Sequence, residues 1–268
     1  MKDSQVDRCP FIDQGNGSPT LVFLHYFSGA AASWQWVIDA LPEFRCVALD
    51  LPGFGHQMPL PNPSLAAYST FVREAIVALE IEQFILIGHS MGGKIALQVA
   101  IDAIDRVPQQ VVLMAPSPPT QEPMPENERQ RMLHDHTNPD NAATTVDGAT
   151  QRSLTSAQRA IAIQTHRQAA DSAWRWWLLE GMNHSIADRL DRLTSPVTVV
   201  ASEDDPVIAF GTIQQEVLDL IPQAQLVKLF GLGHLLPLED PDVVAEILRQ
   251  IAHATPTADV QDRSMSIR

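Results

Sequence analysis

The chain has 268 residues, 45% of them hydrophobic, and a formal net charge of −14 from 18 Lys+Arg against 32 Asp+Glu. That length suits one large α/β domain carrying an insertion, and the acidity argues against a nucleic-acid partner, which needs a basic face to displace counterions. It also disfavours anionic substrates at long range. No run of about 18 apolar residues is present to cross a membrane, and the opening stretch "MKDSQVDRCP" lacks the apolar core of a secretory signal. Cys9 and Cys46 are the only thiols, too few for a disulfide framework or a metal-type spacing. A soluble, cytoplasmic protein is the expectation.

In chain order, Thr20–Leu24 is an apolar strand that runs into the turn "HYFSG". Trp34, Val37, Ile38 and Leu41 then recur at helical spacing. Arg45–Leu49 is strand-like and closes with "DLPGFG", while Ser64 is a candidate N-cap for a helix reaching Leu79. Phe84–Ile87 reads as a strand followed by a helix over Met91–Ala100, and Gln110–Met114, Pro196–Ala201 and Gln225–Phe230 as further strands. The last helix is capped by Asp240, begins with Pro241 and presents Val243, Val244, Ile247, Leu248 and Ile251 as one stripe. Apolar strands alternating with helices predict a mostly parallel, doubly wound sheet.

Residues 116–184 break that rhythm. They open with "PSPPTQEPMPE", hold no strand-like run, and contain one long helical pattern over Gln158–Leu179. The expected organisation is therefore a core of residues 1–115 and 185–254, a helical lid over 116–184, and a polar, disordered tail over 255–268. No internal repeat is visible.

The chemistry is written in "IGHSMGGK", Ile87–Lys94. A strand that enters a helix through Gly-x-Ser-x-Gly forces its central serine into a strained, exposed turn, with Gly88 and Gly92 letting strand and helix approach. Ser90 is thus the candidate nucleophile, with the amide of Met91 at the helix start as an oxyanion donor. Of nine histidines, His234 in "FGLGHLLPLEDP" follows the last strand at the same sheet edge and is the expected base; His25, His56, His89, His134, His136, His166, His184 and His253 fit packing, turn or surface roles better. The third group must orient that imidazole. "VTVVASEDDP" offers Glu203, Asp204 and Asp205; Asp205 is preferred and Asp204 is next.

With these residues the chain resembles the α/β-hydrolase fold superfamily, in its serine-nucleophile, lid-bearing branch. The order Ser90, Asp205, His234 matches that superfamily, as do "DLPGFG" and "LIGHSMGG". "LVFLHYFSG" resembles its first conserved loop, which implies Phe27 as the second oxyanion donor. Tyr26 stands where a glycine is usual, and His56 where a small residue is usual. Substrate-pocket candidates are Tyr26, His25, Trp174, Trp176 and Trp177.

The resemblance implies a serine hydrolase of a small carboxylic ester or related acyl compound, working without metal or organic cofactor. The same triad would also serve a carbon–carbon hydrolase, a lactonase or a cofactor-free perhydrolase. A ligand receptor of the same fold, with little turnover, is the non-catalytic alternative.

Overall fold

Runs of β-branched and aliphatic residues too short for helices pair here into one sheet. The computed structural model describes residues 11–134 and 136–255. Its strands are β1 (Phe11–Gln14), β2 (Thr20–Leu24), β3 (Cys46–Leu49), β4 (Phe84–His89), β5 (Gln110–Met114), β6 (Val197–Ser202) and β7 (Gln225–Leu229). They lie in the order β1-β3-β2-β4-β5-β6-β7, with β1 antiparallel to β3 and every other pair parallel. Of the seven, β1 has no counterpart in the sequence reading. It is a short, mostly exposed edge strand, tied down by pairing to β3 and by the Arg45–Asp13 ion pair at 2.7 Å.

Because side chains alternate across a strand, each strand feeds two cores. Val22, Leu24, Val47, Leu86, Val111 and Val199 point to one side, against α2 (Leu65–Ala78) and α3 (Met91–Asp102). Leu21, Phe23, Ala48, Ile87, Val112 and Val200 point to the other, against α1 (Gln35–Asp39) and the C-terminal helix α10 (Pro241–Ala254). The two caps read from the sequence are formed: Ser64 Oγ accepts the Ala67 amide at 3.1 Å, and Asp240 Oδ1 the Val243 amide at 3.1 Å. Thr255 closes α10, and the rest of the expected tail lies outside the described residues, as does Cys9.

Between β5 and β6 the described residues contain no strand. They form α4 (Glu126–Leu133), α5 (Pro139–Gly148), α6 (Ser156–Gln168) and α7 (Asp171–Leu179). The single helix expected over Gln158–Leu179 is two. Ala169 and Ala170 are extended, at ψ 134° and 135°, and the Ala170 amide donates to Gly53 O at 2.7 Å instead of continuing the helix. A backbone contact from the loop after β3 interrupts a pattern that is locally helical. After β6, α8 (Phe210–Ile213) runs into one wider turn over Gln214–Leu218; α9 (Leu236–Glu239) precedes α10.

Candidate active site

Strand β4 lies at the middle of the sheet and ends at His89; α3 starts at Met91, so Ser90 alone makes the turn. Its φ of 54° and ψ of −117° are values an L side chain rarely adopts. The glycines make the turn sterically feasible. A Cβ on Gly88 would lie 2.2 Å from Gly92 O, and one on Gly92 2.5 Å from Leu24 O and 2.6 Å from His25 O. Strand, helix and the neighbouring β2 end therefore pack backbone to backbone around the serine.

His234 comes from the loop after β7 and Asp205 from the loop after β6. Ser90 Oγ lies 2.9 Å from His234 Nε2, and His234 Nδ1 lies 2.8 Å from Asp205 Oδ2. The other carboxylate oxygen of Asp205 accepts the amides of Val207 and Ile208 at 2.8 and 3.0 Å, which fixes its plane. The neighbouring acids are committed elsewhere: Asp204 accepts the Gly231 amide at 2.6 Å, and Glu203 pairs with Lys228. All three triad candidates are buried. Burial by itself lowers the His234 pKa, but the charge and hydrogen bond of Asp205, with Glu122 and Glu239 behind it, leave it raised above the ordinary 6.5.

The histidine loop is braced from three sides. His89 Nε2–H donates to His234 O at 2.7 Å, and the His234 amide donates to Ala149 O at 2.7 Å. Oε2 of Glu239 collects the amides of Gly233 (2.9 Å), Gln151 (2.8 Å) and Arg152 (2.8 Å). Residues 149–152, which link α5 to α6, are thereby tied to the loop that carries the imidazole. Burial pushes the His89 pKa well down, so it stays neutral and serves as a fixed donor.

A cavity of about 550 Å³ opens above Ser90 and His234. Tyr26, Phe27, Val146, Trp177, Val207 and Leu235 give it apolar walls, while Glu122, Glu128 and Arg131 line it with charge. Arg131 is held by Glu128, at 2.5 and 2.8 Å, and by Thr145 Oγ1 at 3.0 Å. Among the described residues, neither the Phe27 nor the Met91 amide is taken up by a protein acceptor.

Of the five pocket candidates, Tyr26 and Trp177 line the cavity, and His25, Trp174 and Trp176 do not. His25 is fully buried with both ring nitrogens used: Nδ1–H donates to Tyr26 O at 2.7 Å, and Nε2 accepts the Leu51 amide at 3.0 Å. Trp174 is enclosed by Phe27, His136 and His166 at centroid distances of 4.3, 4.6 and 4.6 Å, with its indole N–H on Met132 O at 2.8 Å. Trp176 stacks on Tyr68 at 4.9 Å. These rings join the helical segment to the sheet. His56, the other unusual residue, is exposed, and only its amide contributes, to Asp50 Oδ2 at 2.9 Å. The charged cavity residues Glu122, Glu128 and Arg131 escaped the sequence reading. The one usable signal was a carboxylate, Glu122, shortly after a strand that ends beside Ser90.

Residues 21–247 match the model of the Alpha/beta hydrolase family. Over 111 residues (41% of this chain, 29% of the relative) the sequence is 39% identical to the dihydrolipoyllysine-residue acetyltransferase component of the acetoin cleaving system of Cupriavidus necator. Over 88 residues (33% and 35%) it is 34% identical to 2-succinyl-6-hydroxy-2,4-cyclohexadiene-1-carboxylate synthase of Citrobacter koseri. The matched stretches thus span about a third of these relatives. An esterase from Exiguobacterium antarcticum superposes with a TM-score of 0.81 at 18% identity, over 91% of this chain and 94% of that one. A serine elbow after the central strand, a seven-stranded, mostly parallel sheet and a family match over most of its length lead to one conclusion: the chain belongs to the alpha/beta hydrolase family.

Proposed function

We propose that the protein is a serine hydrolase cleaving a small carboxylic ester or related acyl compound. The observation that carries this reading is the hydrogen-bonded line Ser90–His234–Asp205, at 2.9 and 2.8 Å, opening on a cavity with mainly apolar walls. Ser90 Oγ attacks the substrate carbonyl as His234 Nε2 takes its proton; the amides of Phe27 and Met91 receive the negative oxygen. Collapse of the tetrahedral intermediate expels the alcohol, protonated by His234, and leaves an acyl group on Ser90. A water deprotonated by His234 then releases the acid. The Asp205 carboxylate keeps Nδ1 protonated and Nε2 free to act as base. Apart from that water and the substrate, every step of this reading uses side chains and backbone of this chain.

In this reading residues 116–184 are the lid: they supply Glu122, Arg131, Val146 and Trp177 to the cavity, and the amides of Gln151 and Arg152 to the Glu239 clamp. A small molecule is the expected partner. The buried thiol of Cys46, pushed up to about 12, is inert and suits a cytoplasmic setting. The synthase relatives carry a carboxylate in their product's name, whereas this cavity holds two carboxylates, and Glu128 already engages its guanidinium. That composition favours uncharged esters over polyanionic ligands. Turnover of a short-chain p-nitrophenyl ester is the test: it should be robust in the wild type and fall at least about a thousandfold in Ser90→Ala. Equal rates in the two proteins would refute the reading.

A further inference from the structure

Lys94, Ser117 and Glu122 form a buried polar group that the triad chemistry leaves unused. Glu122 follows β5 and is anchored by its own amide, which donates to Met182 O at 2.9 Å. Its side chain lines the same cavity as Ser90 and His234, although the residue is only 5% exposed. A carboxyl at that depth ordinarily collects hydrogen bonds from its surroundings. Among the described residues no hydrogen bond of standard geometry reaches the Glu122 carboxyl; Oε2 is closed off beside the Ser117 hydroxyl, which acts on it as a weak hydrogen-bond partner and draws its pKa down.

Lys94 does not close that gap. Its ammonium donates to Thr120 O at 2.7 Å and Met182 O at 3.1 Å, and forms no ion pair with Glu122 among the described residues. The two groups sense each other through space. Burial raises the Glu122 pKa, with Ser117 and Lys94 drawing it back, and burial pushes Lys94 down to about 8. A cavity-lining carboxyl whose neighbouring donor, the Ser117 hydroxyl, is not in full hydrogen-bonding geometry is what a site built to read a donor on its ligand presents. Glu122 also lies close enough to the triad to help raise the His234 pKa.

We propose that Glu122 is a specificity-determining residue of this cavity, receiving an O–H or N–H donor carried by the substrate close to the scissile ester. The proposal rests on the hydrolase reading and deepens it, naming hydroxy- or amino-substituted small esters as the preferred class. Sites that hydrogen-bond a substrate group discriminate strongly against analogues lacking it, because the protein group is then left buried and unpaired.

The test is hydrolysis, followed by acid release at constant pH, of two matched sets. One varies the alcohol: butyl acetate, 4-hydroxybutyl acetate and 4-aminobutyl acetate. The other varies the acyl group: methyl butanoate, methyl 3-hydroxybutanoate and methyl 3-aminobutanoate. Wild-type kcat/KM should favour a donor-bearing member of at least one set over its parent by about tenfold or more. In Glu122→Met that ratio should collapse towards one, whatever happens to the absolute rates. Glu122→Gln retains an acceptor oxygen without the charge, so it should keep the hydroxyl preference and lose the amino preference. One-to-one labelling of Ser90 by a fluorophosphonate shows that a variant is folded; if Glu122→Met fails that control, Glu122→Ala, which also removes the acceptor, takes its place. A ratio that survives in Glu122→Met overturns the proposal and assigns the gap to an internal water. Turnover of both parents without discrimination overturns it while leaving the hydrolase intact. No turnover of any of the six esters overturns it as well, and the p-nitrophenyl ester comparison of wild type with Ser90→Ala then decides separately whether the hydrolase reading stands.

Discussion

Ser90 holds a backbone conformation that opposes stability, so the residue and the fold have different interests at this position. Glycine adopts φ near 54° without a Cβ penalty. Ser90→Gly should therefore abolish ester turnover while stabilising the protein by about 1 kcal/mol, visible as a higher thermal midpoint. A drop in the midpoint would remove strain from the account. The imidazole gives a second residue-scale prediction. His234 must be neutral to act as base, and its pKa is raised from 6.5. As pH falls, protonation removes the base, so the acid limb of kcat/KM should be centred above 6.5 rather than at or below it. A limb centred at pH 5 would contradict the Asp205–His234 pairing. The proposed base and nucleophile could be picked out in the sequence because their neighbours, the glycines of the elbow and the loop before the last helix, are local signals. Glu122 could not, since a lone carboxylate in a proline-rich stretch reads as solvent-exposed until the chain folds over it.

Among the elements, the elbow and the histidine loop carry the tightest tolerances. A Cβ at position 92 would meet the carbonyls of Leu24 and His25, and backbone moves less readily than a side-chain tip. Gly92→Ala should cost about 2–3 kcal/mol, read as a lower urea midpoint with the slope unchanged. The Glu239 clamp couples the α5–α6 link to the imidazole. Glu239→Gln weakens three amide hydrogen bonds and removes a negative charge that helps hold the His234 pKa up. The acid limb should then move to lower pH, and the amides of Gln151 and Arg152 should exchange faster with deuterium. An unmoved limb with unmoved exchange would reduce Glu239 to a surface carboxylate. The element that sequence periodicity misjudged, the long helix over Gln158–Leu179, failed for an instructive reason. Propensity continues through Ala169 and Ala170, but Gly53 O offers the Ala170 amide a better partner, and the turn directs Trp174, Trp176 and Trp177 inward.

For the whole molecule, a charge of −14 on a chain of this length sets a repulsive field that every anionic substrate must cross, and added salt screens it over about 10 Å at 0.1 M. Raising the ionic strength should therefore increase kcat/KM for a negatively charged ester by about twofold to threefold relative to its neutral analogue. Identical salt responses would mean that the acidic residues lie away from the cavity approach.

The sequence alone determined the elements that obey local rules: apolar strands bounded by turn residues, helices with Ser64 and Asp240 at their starts, and a serine forced into a turn by flanking glycines. It also ordered the proposed nucleophile, acid and base along the chain. Only the tertiary structure chose Asp205 over Asp204 and Glu203, because that choice depends on which carboxylate the amides of Val207 and Ile208 turn towards His234, 29 residues away. It alone placed Trp174 and Trp176 in packing contacts, and Trp177 and the buried Glu122 carboxyl on the cavity wall. Those outcomes come from long-range approach and burial, which no short window of residues encodes.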